Sequence, residues 1–205
     1  MPDTASLVSG LLAGLTAGLS GWMLGPSGKV LRRRRRRHHL VLPLGAGFLV
    51  ATVFGAVSHD LPGSLLFAAA CGAGASAATL DLTVRRVHDL NTLTIAAAGL
   101  GAAALSGTWF GPMASSLGSM AILALARVLT SSRATTGSLG LGDILFASAC
   151  GLWIAPAHLP YALLAAVAAT ILLARPWRPD AARRIAFVPG LGVGYGAVAL
   201  AAGLG

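Results

Sequence analysis

The chain has 205 residues, of which 56% are hydrophobic and only 10% are charged, with a mean hydropathy of +0.78. Too few polar residues remain to cover a water-soluble globule of this size, which excludes a soluble protein. The net charge of +9 comes from short basic clusters between apolar runs, so it indicates membrane topology rather than binding to nucleic acid. The apolar runs lack the two-residue alternation of a membrane barrel, and the sequence therefore predicts an all-α, polytopic transmembrane helical bundle.

The sequence predicts a single integral membrane domain, residues 1–205, that begins with two N-terminal spans within residues 6–58. No Lys or Arg precedes the first apolar run, whereas a secretory signal carries its positive charge there. The first run is therefore predicted to be a retained span with its N-terminus outside. The arginine-rich loop that follows, residues 25–39, is predicted to lie in the cytoplasm against anionic lipid headgroups.

Residues 61–204 contain the remaining spans of a bundle with about eight spans. Their predicted positions are about 63–80, 90–105, 113–129, two short spans within 143–174, and 185–204. The run from 143 to 174 is short for two crossings, and a single kinked crossing is the alternative. A hairpin is favoured because it keeps all 15 basic residues of the chain on the cytoplasmic side.

Two aspartates stand at the cytoplasmic ends of predicted spans: Asp81 ends the third span and Asp143 opens the sixth. At similar depth on one face, they can meet if those spans pack together, and two nearby carboxylates share a proton. One can then act as a base on water while the other polarises a carbonyl group, as peptide hydrolysis requires. Gly140 and Gly142 are expected to let a substrate backbone approach closely and to let the loop adopt positive φ. The alternative is that both aspartates only cap helices.

Three segments occur in an order that resembles one family. They are Asp81 followed by Arg85, Arg86, Val87 and Asp89; Gly140, Gly142 and Asp143; and the segment 185–191, Ile-Ala-Phe-Val-Pro-Gly-Leu. The order resembles that of the type IV prepilin peptidases, a family of intramembrane aspartyl proteases, over about residues 61–200. The last segment looks like the Phe-Gly-Pro segment of that family's final span.

The resemblance implies an aspartyl endopeptidase that removes the leader of type IV prepilin-like proteins at the cytoplasmic face of the plasma membrane. Its partners would be that substrate and membrane lipids, without nucleic acid, metal or another cofactor, and its oligomeric state is left open. The catalytic residues implied are Asp81 and Asp143. Those implied to shape the loop or bind substrate are Gly140, Gly142, Asp89, Arg85 and Arg86.

The sequence departs from the family pattern at three places. His88 replaces a proline after the first aspartate, and Leu145 stands where the family commonly has lysine. The loop after the first span is short and has no paired Cys-x-x-Cys motifs, which implies a form without the N-methyltransferase insertion. A non-catalytic assembly factor of the same fold is one alternative function. A proton- or cation-coupled transporter is the other, although both aspartates are predicted at an interface rather than at the midplane.

Overall fold

A computed structural model of the chain describes residues 61–84, 89–131, 139–174 and 186–203. These ranges form six α-helices and one short 3₁₀ helix: α1 (Leu61–Val84), α2 (Asp89–Ser106), α3 (Phe110–Ser131), α4 (Leu141–Gly151), the 3₁₀ helix (Pro156–His158), α5 (Leu159–Ala174) and α6 (Val188–Gly203). No strand occurs in the described ranges, so the all-α prediction is confirmed there. The two N-terminal spans and the arginine-rich loop lie outside these ranges.

Three helical segments are long and apolar enough to cross a bilayer, namely Pro62–Leu82, Phe110–Thr130 and Pro156–Leu173. The helices α4 and α6 are apolar but shorter. This part of the chain is therefore a membrane-protein bundle, while the count of about eight spans and the external N-terminus remain predictions.

Several helices begin with a proline in the first turn. Pro62, Pro112, Pro160 and Pro189 occupy that position in α1, α3, α5 and α6. A helix leaves its first N–H groups without an intrahelical acceptor, so a residue that has no N–H is tolerated there. These prolines explain why the apolar runs of the sequence are divided into helices where they are.

Small residues let the helices pack closely. A Cβ added at Gly151 would lie 2.8 Å from the Ser115 carbonyl oxygen, and one added at Gly99 would lie 2.7 Å from the Leu152 Cβ. Gly151 therefore joins α4 to α3, and Gly99 joins α2 to the residues that follow α4. Such close approach replaces the hydrophobic driving force that is absent between helices in lipid.

The chain reverses its direction between α4 and α5. At the end of α4, Gly151 lies beside Ser115 of α3. Pro156 then lies beside Gly111, at the start of α3. Leu159, the first residue of α5, lies beside Gly118, farther along α3. The polypeptide thus reaches the end of the bundle where α3 begins and turns back through α5. This is the reversal that the predicted hairpin requires, made with an α4 of only 11 residues.

The described helices differ in how much of their surface faces the rest of the protein. In the apolar window of α1, 67% of the residues are buried, against 17% in those of α3 and α5. α4 packs against α2, α3 and α6, and its Phe146 and Ala147 are fully buried. α1 and α4, the helices that carry the two aspartates, therefore belong to the interior, while α3 and α5 present apolar side chains outward, as lipid contact requires.

Candidate active site

Several helix termini lie at one end of the bundle. α1 ends there, α2 and α4 begin there, and the start of α6 reaches α1 through a hydrogen bond between Val188 and Asp81. The opposite end contains the start of α1, the end of α2, the start of α3 and the turn after α4. Those residues line a cavity of about 740 Å³ that includes Pro62, Ser106, Gly111 and Ala155. Asp81, Asp89 and Asp143 thus lie at the same end, as the sequence predicts.

Asp81 is buried in the last turns of α1, with 7% of its surface exposed. Its Oδ2 accepts a hydrogen bond of 3.2 Å from the backbone N–H of Val188, the first residue of α6. The first N–H groups of a helix lack intrahelical acceptors and carry the positive end of the helix dipole, so they stabilise a negative charge placed there. The end of α1 is thereby tied to the start of α6, which holds one oxygen of Asp81 in place.

Asp143 is partly buried in the first turn of α4. Its Oδ2 accepts a hydrogen bond of 3.0 Å from the backbone N–H of Gly140, the residue that caps the helix. The carboxylate folds back over its own helix start, as the acidic half of a capping box does. Asp143 therefore does cap its helix, and this contact also fixes one of its two oxygens.

The expectation that the glycines before Asp143 adopt positive φ is wrong for Gly140 and Gly142. Gly140 is extended, with φ −69° and ψ 150°, and Gly142 lies within α4. Of the described glycines, Gly107 has positive φ, at 68°, in the turn between α2 and α3. What Gly140 supplies is space, because a Cβ there would lie 3.1 Å from the Asp143 Oδ2. Glycine at this position lets the carboxylate lie close against the backbone.

The two aspartates are on helices that share neighbours. α2 packs against both α1 and α4, and so does α6. Asp89 is exposed in the first turn of α2, at the same end. Arg85 and Arg86 lie outside the described residues, so their role beside Asp89 remains a prediction, as does the direct pairing of Asp81 with Asp143.

Two groups near the aspartates were not found from the sequence. The Val188 amide is the partner of Asp81 from 107 residues away, and no local pattern connects the two positions. Asn91, in the first turn of α2, is fully buried. In the sequence Asn91 continues the segment that begins at Asp81, and nothing there indicates its burial. In the part of the chain that the structure describes, no three His, Cys, Asp or Glu side chains are grouped so that they could hold a metal ion.

Comparison with known families finds one family model that matches this chain. The sequence profile of the type IV leader peptidase family matches residues 65–175, more than half of the 205-residue chain, and this region includes both Asp81 and Asp143. The chain belongs to the type IV leader peptidase family. The resemblance seen in the sequence is thereby confirmed, and the protein is a prepilin peptidase-like protease by family. No curated protein and no solved structure matches the chain.

One departure from the leader peptidase pattern has a structural explanation. Leu145 is 44% exposed, whereas its neighbours Ile144 and Phe146 are buried at 3% and 0%. Along a helix, a residue two positions from Asp143 lies about 200° around the axis from it. Leu145 therefore faces away from the interior, on the outer surface of α4, and a lysine at this position could extend its ammonium group towards the membrane interface.

We expect the Leu145→Lys variant to retain folding and activity within about twofold, because an outward-facing substitution near a helix end changes no described contact of Asp143. The measurement is the rate of leader removal by purified variant and parent protein, together with Tm. Ile144→Lys is the matched comparison, since it places the same charge among buried side chains and is expected to prevent folding. A loss of activity in a stably folded Leu145→Lys protein would contradict this placement of Leu145.

Proposed function

We propose that this leader peptidase family member is an intramembrane aspartyl endopeptidase in which Asp81 and Asp143 form the catalytic pair. The observation that supports it is that both carboxylates lie at one end of the bundle, each with its Oδ2 fixed by a backbone N–H at the start of a helix. Both also lie within the matched region. Catalytic groups need such fixed positions, because a displacement of about 1 Å can cost a hundredfold in rate.

The proposed chemistry uses the two carboxylates as one unit. Two carboxyl groups that lie close together share a proton, so one is charged and the other neutral. The charged one takes a proton from water, whose oxygen adds to the carbonyl carbon of the scissile peptide, while the neutral one donates a hydrogen bond to the carbonyl oxygen. When the C–N bond breaks, the amine leaving group takes up the proton. No covalent enzyme intermediate is needed.

The proposed substrate is a prepilin-like protein with a short basic leader before a hydrophobic helix. Its helix would lie in the bilayer beside the bundle, with the leader unwound at the membrane surface where the aspartates lie. The family resemblance implies cleavage just after a glycine that precedes the helix. The side of the membrane is proposed to be the cytoplasmic one, because basic residues flank the predicted spans at this end.

The test uses a synthetic prepilin-like peptide and sealed membrane vesicles that contain the protein. Added from outside, the peptide should be cleaved after its glycine by inverted vesicles, in which the cytoplasmic face is outward, and not by right-side-out vesicles. Mass spectrometry of the products locates the cut, and a chelator should leave the rate unchanged. Cleavage by right-side-out vesicles alone would contradict the proposed cytoplasmic position of the active site. Cleavage by neither kind, with detergent-permeabilised vesicles also inactive, would favour a non-catalytic assembly factor.

A further inference from the structure

Serines form much of the inner face of α3. Ser115 and Ser119 are fully buried one turn apart, and the buried Leu123 continues the same face one turn farther on. The Ser119 Oγ donates a hydrogen bond of 2.8 Å to the carbonyl oxygen of Ser115, which uses its single proton. The Ser119 oxygen can therefore accept a hydrogen bond from another helix.

That hydrogen bond comes from Tyr195 of α6. The Tyr195 hydroxyl donates to the Ser119 Oγ at 2.9 Å, and the tyrosine is buried, with 2% of its surface exposed. If α6 moved one turn along α3 towards the end that contains the aspartates, the hydroxyl would face Leu123 and lose its partner. A buried polar group without a partner is costly. The contact therefore fixes the register of α6 against α3.

A second hydroxyl contact joins α3 to α4. The Oγ atoms of Ser116 on α3 and Ser148 on α4 are 2.9 Å apart, and either atom can donate. Beside them, Gly151 lies against the backbone of Ser115 and Ser116, so the two helices approach each other closely at this level. Two residues within one turn of α3 thus make hydrogen bonds to two different helices.

Both of those helices contribute to the proposed catalytic site. Tyr195 lies seven residues after Val188, whose N–H donates to Asp81, and the rise along α6 between them is about 10.5 Å. Ser148 lies five residues after Asp143, with a rise of about 7.5 Å along α4. A helix of two or three turns moves as a rigid element, so a shift at either contact is carried to the carboxylate beyond it.

We propose that α3 sets the separation of Asp81 and Asp143 through these two hydroxyl contacts, one to α6 and one to α4. The four side chains of the contacts are then positioning residues that act through the helices. This role rests on the proposed peptidase function, whereas the contacts themselves do not. A hydrogen bond between membrane helices contributes little to stability. A displacement of about 1 Å at a catalytic group, in contrast, can cost a hundredfold in rate.

Removal of single hydroxyl groups tests this role in the reaction. Tyr195→Phe and Ser148→Ala should each lower kcat by about ten- to thirtyfold, with KM within about twofold and Tm lowered by no more than about 4 °C. Ser148→Thr keeps a hydroxyl and should hold kcat within about threefold of the parent. Two matched controls should behave like the parent: Tyr161→Phe, because Tyr161 is exposed on α5, and Ser115→Ala, because the Ser115 hydroxyl donates within α3, to Gly111.

A distance measurement tests the role without relying on activity. Spin labels on cysteines placed at Leu145 of α4 and Val193 of α6, both exposed positions, report the separation of these helices once the two native cysteines are replaced by alanine. Tyr195→Phe and Ser148→Ala should each shift or broaden the distance by a few Å, and the matched controls should not.

A kcat equal to that of the parent in either hydroxyl-deletion variant, or an unchanged distance between the labels, would overturn the proposal. If no prepilin-like peptide is cleaved but the distance responds to both deletions, the positioning of α4 and α6 by α3 stands and the peptidase function fails.

Discussion

Replacing either aspartate by asparagine, Asp81→Asn or Asp143→Asn, is expected to lower kcat for leader removal by about 10⁴-fold or more, with the protein still folded. Asparagine has the same shape, and its side-chain oxygen can still accept from the Val188 or Gly140 N–H that each carboxylate uses. What is lost is the shared proton and the base that activates water. The measurement is single-turnover cleavage of a prepilin-like peptide by purified protein, with Tm as the check on folding.

The double variant distinguishes a catalytic pair from two separate structural caps. If the aspartates act as one unit, Asp81→Asn combined with Asp143→Asn should be no slower than either single variant. If they only cap helices, the single variants should keep both the rate and the stability of the parent, because asparagine caps a helix about as well as aspartate does. Asp60→Asn, in the predicted outer loop, is the matched control and should behave like the parent. Normal leader removal by either single variant would reject the aspartyl pair.

The positions of the helices could be predicted because apolar runs and prolines are local signals. The spans predicted at 63–80, 90–105 and 113–129 correspond to α1, α2 and α3, although each observed helix is longer at both ends. The apolar run marks only the part of a helix that is suited to lipid, whereas the backbone hydrogen bonds of the helix can continue into the residues that flank it. The reversal after α4 was favoured by charge alone, and the packing of Pro156 and Leu159 on α3 shows how the chain makes it.

The site was only partly readable from the sequence. An aspartate at the boundary of an apolar run is a visible signal, so Asp81 and Asp143 could be named. The hydrogen-bond partner of Asp81 could not be predicted, because the Val188 amide reaches Asp81 only through the packing of α6 against α1. Positive φ at Gly140 was a wrong prediction for a related reason: glycine can serve backbone conformation or space, and only the structure shows an extended backbone with the Asp143 oxygen close to it. Burial of Asn91 likewise depends on the tertiary packing of α1 and α2.

Substitutions in the interface between α5 and α6 are expected to change stability more than the others considered. This interface positions α6, whose first residue, Val188, donates a hydrogen bond to Asp81. Added methyl groups at Gly190 and Gly194 would collide with Thr170 and with the backbone of Ala166. The two helices are therefore too close together to admit a side chain at either glycine. The Cβ positions at Gly192 and Gly196, on the same helix, meet nothing within 4 Å. Glycines of one helix thus face two different environments.

We therefore expect Gly194→Ala and Gly192→Ala to change stability in opposite directions. Gly194→Ala should destabilise the protein by about 3 kcal/mol, since overpacking forces α6 away from α5. It should also reduce leader removal by displacing the Val188 amide from Asp81. Gly192→Ala should stabilise by up to about 1 kcal/mol, because alanine is the better helix former and meets no neighbour. Unfolding in mixed micelles measures both, and equal effects of the two substitutions would mean that α6 is not held against α5 through Gly194.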